Sequence, residues 1–316
     1  MLSNRLLLVC ALASTMPLGP LAALDRGVII REAVIYVAPD ASAAKLSSVG
    51  RGREVAVVER SPGWANVVAT VETDPEQETS KNVTGWVVDK GVVTTSTTNG
   101  DQVIFGEAVD SEAEASRRSG RKGAAQDAMR LYAGVAEYFP TSPLAAEGAY
   151  RAADIRWQIE AAAEATRPSM RETDPSLKYH IDDQYMKKVI KKFPGTKWAD
   201  LAAYRLLDNK TCGDWAAEAK CPEMEATLYM KYVDEHPKSP KNPEALYKAA
   251  WRYSALIVIY KSNNDAKKAT DSTARAISTT KRITTQFPDV TDWATRAERL
   301  LYMIQNEIPT YGNALQ

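Results

Sequence analysis

The sequence predicts a protein of two domains, a small all-β domain followed by an all-α domain built from helical hairpins. Three observations predict this division. Residues 27–95 carry short runs of β-branched residues separated by turn signals. Beyond a polar connector at 96–108, the chain is rich in alanine and has helical periodicity. Finally, an aromatic residue or histidine stands before proline four times in this second half.

Residues 1–23 have the pattern of a signal peptide: a basic residue, a short apolar run, then glycine and proline. The apolar run is shorter than the roughly 20 residues of a membrane-spanning helix. We therefore expect removal on export, a mature chain starting near Leu24, and no transmembrane segment afterwards, with the cleavage site left open. A lipid anchor on Cys10 is the alternative. It is disfavoured because Val9 stands where lipoprotein signals carry a small residue.

The composition is that of a globular chain, and it argues against nucleic acid as a partner. Of the 316 residues, 45% are hydrophobic and 25% are charged. The 40 basic and 40 acidic residues balance to a net charge of zero. The chain therefore lacks the strong cationic field on which nucleic-acid binding relies.

Two cysteines, Cys212 and Cys221, follow the predicted signal peptide, in a chain destined for an oxidising compartment. A disulfide between them would close a short connector and stabilise the fold by roughly 2.5–3 kcal/mol in the chain-entropy model. Two buried free thiols are the alternative. We expect the disulfide.

Four strands stand out in the β domain, at residues 34–37, 54–58, 64–68 and 85–88, with a fifth left open. Turn signals separate them at 39–40, 50–52 and 61–63, where proline, glycine, serine and aspartate cluster. Short strands at this spacing cannot bury an open face alone, so they predict a small closed barrel.

Three motifs of this domain occur in the order and spacing of the bacterial SH3-like family, which residues 27–95 therefore resemble. They are Gly52-Arg53-Glu54-Val55, Trp64-Ala65-Asn66-Val67 and Gly85-Trp86-Val87. A polar, acidic insertion at 71–83 departs from the family and predicts a longer hairpin. It lacks the ligand spacing of a calcium loop, so we expect no metal there.

The SH3-like resemblance implies recognition of peptides or cell-wall material in a groove lined by aromatic side chains. In this sequence those side chains would be Tyr36, Trp64 and Trp86. The alternative is that the two tryptophans only fill the core of the domain.

The recurring landmark of the helical half is an aromatic residue or histidine before proline, at Phe139-Pro140, Phe193-Pro194, His236-Pro237 and Phe287-Pro288. Proline cannot continue a helix and disfavours helical geometry in the residue before it, so each landmark predicts the end of a helix. Ser142 and Ser239 follow two of the landmarks and are expected to cap the next helix. Each unit is thus a helical hairpin.

Residues 132–154 and 229–251 resemble the tetratricopeptide-type repeats of BamD-type outer-membrane assembly factors and of periplasmic cell-division coordinators. The landmarks are 54, 43 and 51 residues apart, more than the usual repeat of about 34, so the helices or their connectors are longer. The resemblance implies a helical solenoid over 109–316. Such solenoids bind protein segments on an extended concave surface.

No motif points to catalysis, to a cofactor or to a metal. The chain has two histidines and lacks a nucleophile elbow, a phosphate-binding loop and a dinucleotide fingerprint. The carboxylates of Asp182 and Asp183 precede a lysine-rich stretch at 187–192, and we interpret them as solvated ion pairs on a helix.

We therefore expect a non-catalytic scaffold or adaptor of the bacterial cell envelope. Its expected location is the periplasm or another exported location, with attachment to the periphery of the outer membrane as one option. Its helical repeats would bind envelope proteins, and its SH3-like domain would bind peptide or peptidoglycan. One alternative is a peptidoglycan-targeting accessory of a cell-wall enzyme. Another is a structural envelope protein without a discrete partner.

Overall fold

The structure, a computed structural model, describes residues 25–74, 79–167, 178–215 and 217–312. In these ranges a seven-stranded antiparallel sheet at residues 25–94 precedes nine α-helices. The predicted signal peptide at 1–23, with Cys10, lies outside the described residues. None of the helices within those ranges is both long enough and apolar enough to cross a membrane.

The strands are β1 (Asp25–Ile29), β2 (Ala33–Tyr36), β3 (Lys45–Val49), β4 (Glu54–Ser61), β5 (Trp64–Asp74), β6 (Thr79–Val88) and β7 (Val92–Thr94). Their order in the sheet is β3-β2-β6-β5-β4-β1-β7. The four predicted strands lie in β2, β4, β5 and β6, whereas β1, β3 and β7 add to them.

The pairing is that of an open sheet rather than the predicted closed barrel, with β3 and β7 as its edges. The physical reason lies at the β1–β7 end. Val28 of β1 and Val93 of β7 are buried in a hydrophobic cluster with residues of the first helices. This end of the sheet is thus covered by helices instead of pairing with β3.

All seven strands nevertheless share one apolar core. Its members are Ile29, Ile35, Val49, Val55, Val57, Ala65, Val67, Ala69, Val71, Val87 and Val92. Because side chains alternate between the two faces of a strand, the residues between these core positions lie on the outer face of the sheet.

Two glycines are required by the backbone of the sheet. Gly63 has φ +80° in the two-residue turn that joins β4 to β5, and with Pro62 before it this is the pattern of a type II turn. At Gly85 an added Cβ would lie 2.6 Å from the carbonyl oxygen of Tyr36, so the absence of a side chain lets β2 approach β6.

The polar insertion lengthens the β5–β6 hairpin, as predicted. Pairing continues through Glu72 opposite Ser80 and Asp74 opposite Thr79. The insertion is therefore largely a continuation of the two strands.

The helices are α1 (Gly100–Ala115), α2 (Ala124–Tyr138), α3 (Ala145–Thr166), α4 (Gln184–Lys192), α5 (Lys197–Arg205), α6 (Lys220–Glu235), α7 (Asn242–Ser262), α8 (Ala266–Gln286) and α9 (Thr291–Gln305). The predicted connector at 96–108 is too long, because α1 begins at Gly100. The buried face of α1 consists of Gly100, Ile104, Ala108 and Ser111. Because most of these residues are small, the spacing of large apolar residues in the sequence gives only a weak sign of this helix.

The four landmarks end helices, as predicted. Helices α2, α4, α6 and α8 each stop at the residue before the aromatic side chain or histidine. At all four landmarks the residue before proline has φ between −133° and −124° and ψ between 48° and 60°. Its N–H still donates to the carbonyl four residues earlier. The proline thus ends each helix with the same backbone geometry.

The two serines after the landmarks do not act as helix caps. The hydroxyls of Ser142 and Ser239 accept the backbone N–H two residues further on, before α3 and α7 begin. They stabilise the turn instead. A side-chain cap after a landmark is found at Thr196, which accepts the N–H of Ala199 at the start of α5.

Close packing joins the helices to one another. At Gly148 of α3 an added Cβ would lie 2.7 Å from the carbonyl oxygen of Tyr132 in α2.

In the first turns of α7, Glu244 forms ion pairs with Lys241 at 2.7 Å and with Lys248 at 3.1 Å. Burial alone would raise the pKa of Glu244, but the bond from Lys241 and the charge of Lys248 hold this pKa below its ordinary value.

Ion pairs join the sheet to the first two helices, in addition to the hydrophobic cluster around Val28 and Val93. Arg26 of β1 bonds Glu137 of α2 at 2.7 Å, and Arg31 bonds Glu107 of α1 at 2.9 Å. Arg26 also bonds Glu54 of β4, and this bond holds the pKa of the Glu54 carboxyl below its usual range. The sheet is therefore held to the helices at more than one point.

The predicted disulfide is confirmed. Cys212 and Cys221 are bridged, with their Cα atoms 6.1 Å apart, and the bridge ties the segment before α6 to the first turn of that helix. Such a bridge is consistent with an exported protein.

Next to the bridge, Glu225 is 1% exposed. It accepts hydrogen bonds at 2.8 Å from the backbone N–H of Cys212 and from Arg252 Nε.

Candidate functional site

The three aromatic residues predicted from the sequence lie together on the outer face of the sheet. Tyr36 of β2 is directly opposite Trp86 of β6. The rings of Tyr36 and Trp64 meet edge to face, with centroids 5.6 Å apart and planes at 89°. We call these three residues the aromatic surface.

The aromatic surface is separate from the core of the sheet. The strand neighbours Ile35, Ala65 and Val87 are fully buried in the core, whereas Tyr36, Trp64 and Trp86 are each only half-buried. The strands therefore place the aromatic rings on the opposite face. The sequence left this choice open, because alternation alone does not say which face is buried.

A carboxamide lies in the middle of the aromatic surface. Asn66 of β5 stands opposite Trp86, and its Nδ2 donates to Glu59 Oε1 at 3.0 Å. Its Oδ1 is buried and has no donor among the residues that the structure describes. A buried acceptor without a partner costs about 1–3 kcal/mol, so a ligand that donates to this oxygen would recover part of that free energy.

The chemistry of this surface suits an amphipathic ligand. Aromatic rings offer large apolar faces with little conformational freedom to lose, and the amide of Asn66 and the carboxylate of Glu59 add hydrogen-bonding atoms. Val88, paired with Trp64, is 48% exposed and extends the apolar area. Peptides and sugars both combine apolar faces with hydrogen-bond donors.

The histidine of the third landmark sits in a polar cluster of the helical region. His236 Nδ1 lies 2.8 Å from Asp200 Oδ1, and the imidazole stacks on Tyr232 with centroids 4.7 Å apart. Ser239 Oγ lies 2.5 Å from the hydroxyl of Tyr232 and accepts the N–H of Lys241. These contacts fix the end of α6 against α5.

Within the described ranges, no group of three or more His, Cys, Asp or Glu side chains is placed to hold a metal ion. Glu72 of the acidic insertion bonds Arg53, the residue just before β4. The carboxylate of Glu72 is therefore already paired with a cation.

Comparison with models of known protein families finds no match, and comparison with curated proteins finds none. The class that the structure establishes is thus a β-sheet region followed by a helical region. Its distinguishing surface feature is the aromatic surface.

Proposed function

We propose that this protein is an exported, non-catalytic adaptor of the bacterial cell envelope. Its sheet binds cell-wall peptide or glycan through the aromatic surface, and its helices bind a protein partner. The observation that carries the proposal is the outward placement of Tyr36, Trp64 and Trp86 on a sheet that has a complete core without them.

The aromatic surface supports binding because its groups are held before any ligand arrives. Trp64 follows the tight turn at Gly63, and Trp86 follows Gly85, where β6 has no room for a side chain beside β2. A ligand therefore meets side chains on paired strands, which lose little freedom on binding.

Two further observations support the proposal. The SH3-like motifs and the tetratricopeptide-like landmarks both resemble families of binding modules. The disulfide and the predicted signal peptide agree with an oxidising compartment outside the cytoplasm.

Cosedimentation with purified, insoluble peptidoglycan tests the proposal. We expect the mature protein to sediment with the wall and Trp64→Ala to weaken this binding by about thirtyfold, the effect of losing a central aromatic contact worth about 2 kcal/mol. Tyr302→Ala is the matched control, because Tyr302 is 61% exposed on α9, away from the sheet. It should bind like the wild type.

Far-UV circular dichroism of each variant shows whether it is folded. Equal sedimentation of folded Trp64→Ala and Tyr302→Ala would remove the aromatic surface from the proposal. The supernatant is also analysed for soluble wall fragments. Their release by the pure protein would contradict a non-catalytic adaptor and favour an enzyme.

A further inference from the structure

A groove of about 450 Å³ lies between helices α2, α3 and α4. We call it the helical groove. Its floor is made largely of alanine: Ala133, Ala136, Ala149, Ala152 and Ala153. Side chains this small leave room for the apolar side chains of a second chain, and Val189 and Phe193 add to the apolar wall.

The rim of the helical groove is cationic. Arg130, Arg156, Lys188 and Lys192 line it, and among the described lining residues Glu137 is the one carboxylate. That carboxylate is already bonded to Arg26 of the sheet. The rim therefore carries an excess of positive charge over an apolar floor.

The four cations differ in how far the protein itself satisfies them. Arg130 pairs with Asp127, and Lys192 donates to the carbonyl of Ala136 at 2.8 Å. Lys188 is exposed and makes no ion pair with the residues that the structure describes. A carboxylate entering the groove could pair with Lys188 without displacing a contact.

Arg156 completes one side of the rim. Its guanidinium lies 4.0 Å from the centroid of the Tyr185 ring, and Glu160 is 3.7 Å away. The stacking positions the guanidinium and covers the ring. The groove thus offers a fixed cation on this side of its rim, ready to meet a carboxylate.

We infer that the helical groove binds an acidic peptide segment of a partner protein, in which Asp or Glu alternates with small or branched apolar residues. The apolar residues occupy the alanine floor and the carboxylates pair with the rim. This inference rests on the proposed function, since it names the partner class of the helical region.

Fluorescence anisotropy with the mature protein tests the inference. The probe is a short labelled peptide of alternating Glu and Leu, and the matched probe has Gln in place of Glu. We expect the acidic probe to bind and the Gln probe to bind at least tenfold more weakly. Raising the salt concentration should weaken binding of the acidic probe, because its contacts lie at a solvated rim.

Two charge reversals on one helix give a matched pair of variants. Lys188→Glu places a negative charge on the rim and should weaken binding by about tenfold, the loss of roughly one surface ion pair plus the added repulsion. Lys191→Glu changes the net charge equally at an exposed position of α4 outside the groove lining. It should leave binding unchanged.

A third variant tests the floor rather than the charge. Ala133 is exposed, so Ala133→Phe should fold normally and occupy the groove, with a loss of peptide binding as large as that of Lys188→Glu. Equal binding by Lys188→Glu and Lys191→Glu, or equal binding of the two probes, would overturn the inference. Stronger binding of a single-stranded oligonucleotide than of the acidic probe would also overturn it.

The wall cosedimentation assay separates this inference from the proposed function. If the wild type sediments with peptidoglycan but does not bind the acidic probe, the groove inference fails alone. If neither binding occurs, the proposed function itself fails.

Discussion

Glu225 and Arg252 form an ion pair inside the helical region that should dominate the local stability. Their side chains are 1% and 6% exposed, and the Oε2–Nε distance is 2.8 Å. Glu225→Gln keeps the shape of the side chain but removes its charge. Arg252 would then remain charged and buried without this carboxylate, held by the rings of Tyr229 and Trp215 and by its bond to the carbonyl of Lys248.

The size of the effect follows from the bonds of Glu225. A charge-assisted hydrogen bond contributes about 1.5–3 kcal/mol, and removing one partner of a buried ion pair costs about 3–5 kcal/mol in all. The amide of Gln can still accept the N–H of Cys212, so we expect the lower end, a loss of about 3 kcal/mol. The double variant Glu225→Gln/Arg252→Met should lose no more than the single one, because no buried charge is left unpaired.

Urea unfolding followed by tryptophan fluorescence and circular dichroism measures these differences. The control is Asp271→Asn, which breaks a pair with Arg275 between side chains that are 60% and 59% exposed. That variant should lose less than about 0.5 kcal/mol. A loss below about 1 kcal/mol for Glu225→Gln, or additive effects in the double variant, would refute the reasoning.

Three further outcomes follow from other parts of the fold. Gly148→Ala should destabilise the protein by about 1–3 kcal/mol and lower the Tm, because the new methyl group meets the backbone of α2 at 2.7 Å; an unchanged Tm would contradict this packing. Replacing both Cys212 and Cys221 with serine should lower the free energy of unfolding by about 2.5–3 kcal/mol, and a matching loss on reduction of the wild type checks the assignment. Glu244→Gln should make the free energy of unfolding less dependent on pH in the acid range. The pKa of Glu244 is lowered in the folded state, so its ionised form stabilises the fold above pH 4.5, and this stabilisation is lost as the pH falls below that value. If the acid unfolding curves of variant and wild type are parallel, Lys241 and Lys248 do not stabilise the ionised carboxylate.

The ends of four helices could be predicted from the sequence because the cause is local. Proline restricts the residue before it whatever the rest of the chain does, and Phe139, Phe193, His236 and Phe287 all adopt the same backbone geometry. The helix starts were harder to predict. Ser142 has the right hydroxyl for a cap but uses it in a turn before α3.

The aromatic surface could be predicted only in part. Motif spacing selected Tyr36, Trp64 and Trp86, and the pairing of β2, β5 and β6 brings them together. Whether they face the core depends on how the whole sheet bends, which is a property of all seven strands. The sequence does not single out Asn66, because its importance comes from the burial of Oδ1 opposite Trp86 and from the bond of Nδ2 to Glu59.

The helical groove could not be predicted from the sequence at all. The sequence predicts that the lysines of α4 are solvated partners of Asp182 and Asp183, and Lys187 does pair with Asp183 at 2.7 Å. Lys188 and Lys192, four residues apart, share the face of α4 that lines the groove. Tertiary packing decides which face of a helix contacts which neighbouring helix. The sequence pattern of a single helix does not carry this information.

The contact between the sheet and the first helices has a consequence for affinity. Glu137 lines the helical groove and bonds Arg26 in the sheet, while Val28 and Val93 of the sheet are buried with residues of α1 and α2. The aromatic surface and the helical groove thus belong to parts of the protein that are packed together. For a partner long enough to occupy both, the second contact becomes intramolecular, and two weak attachments act with a high effective concentration.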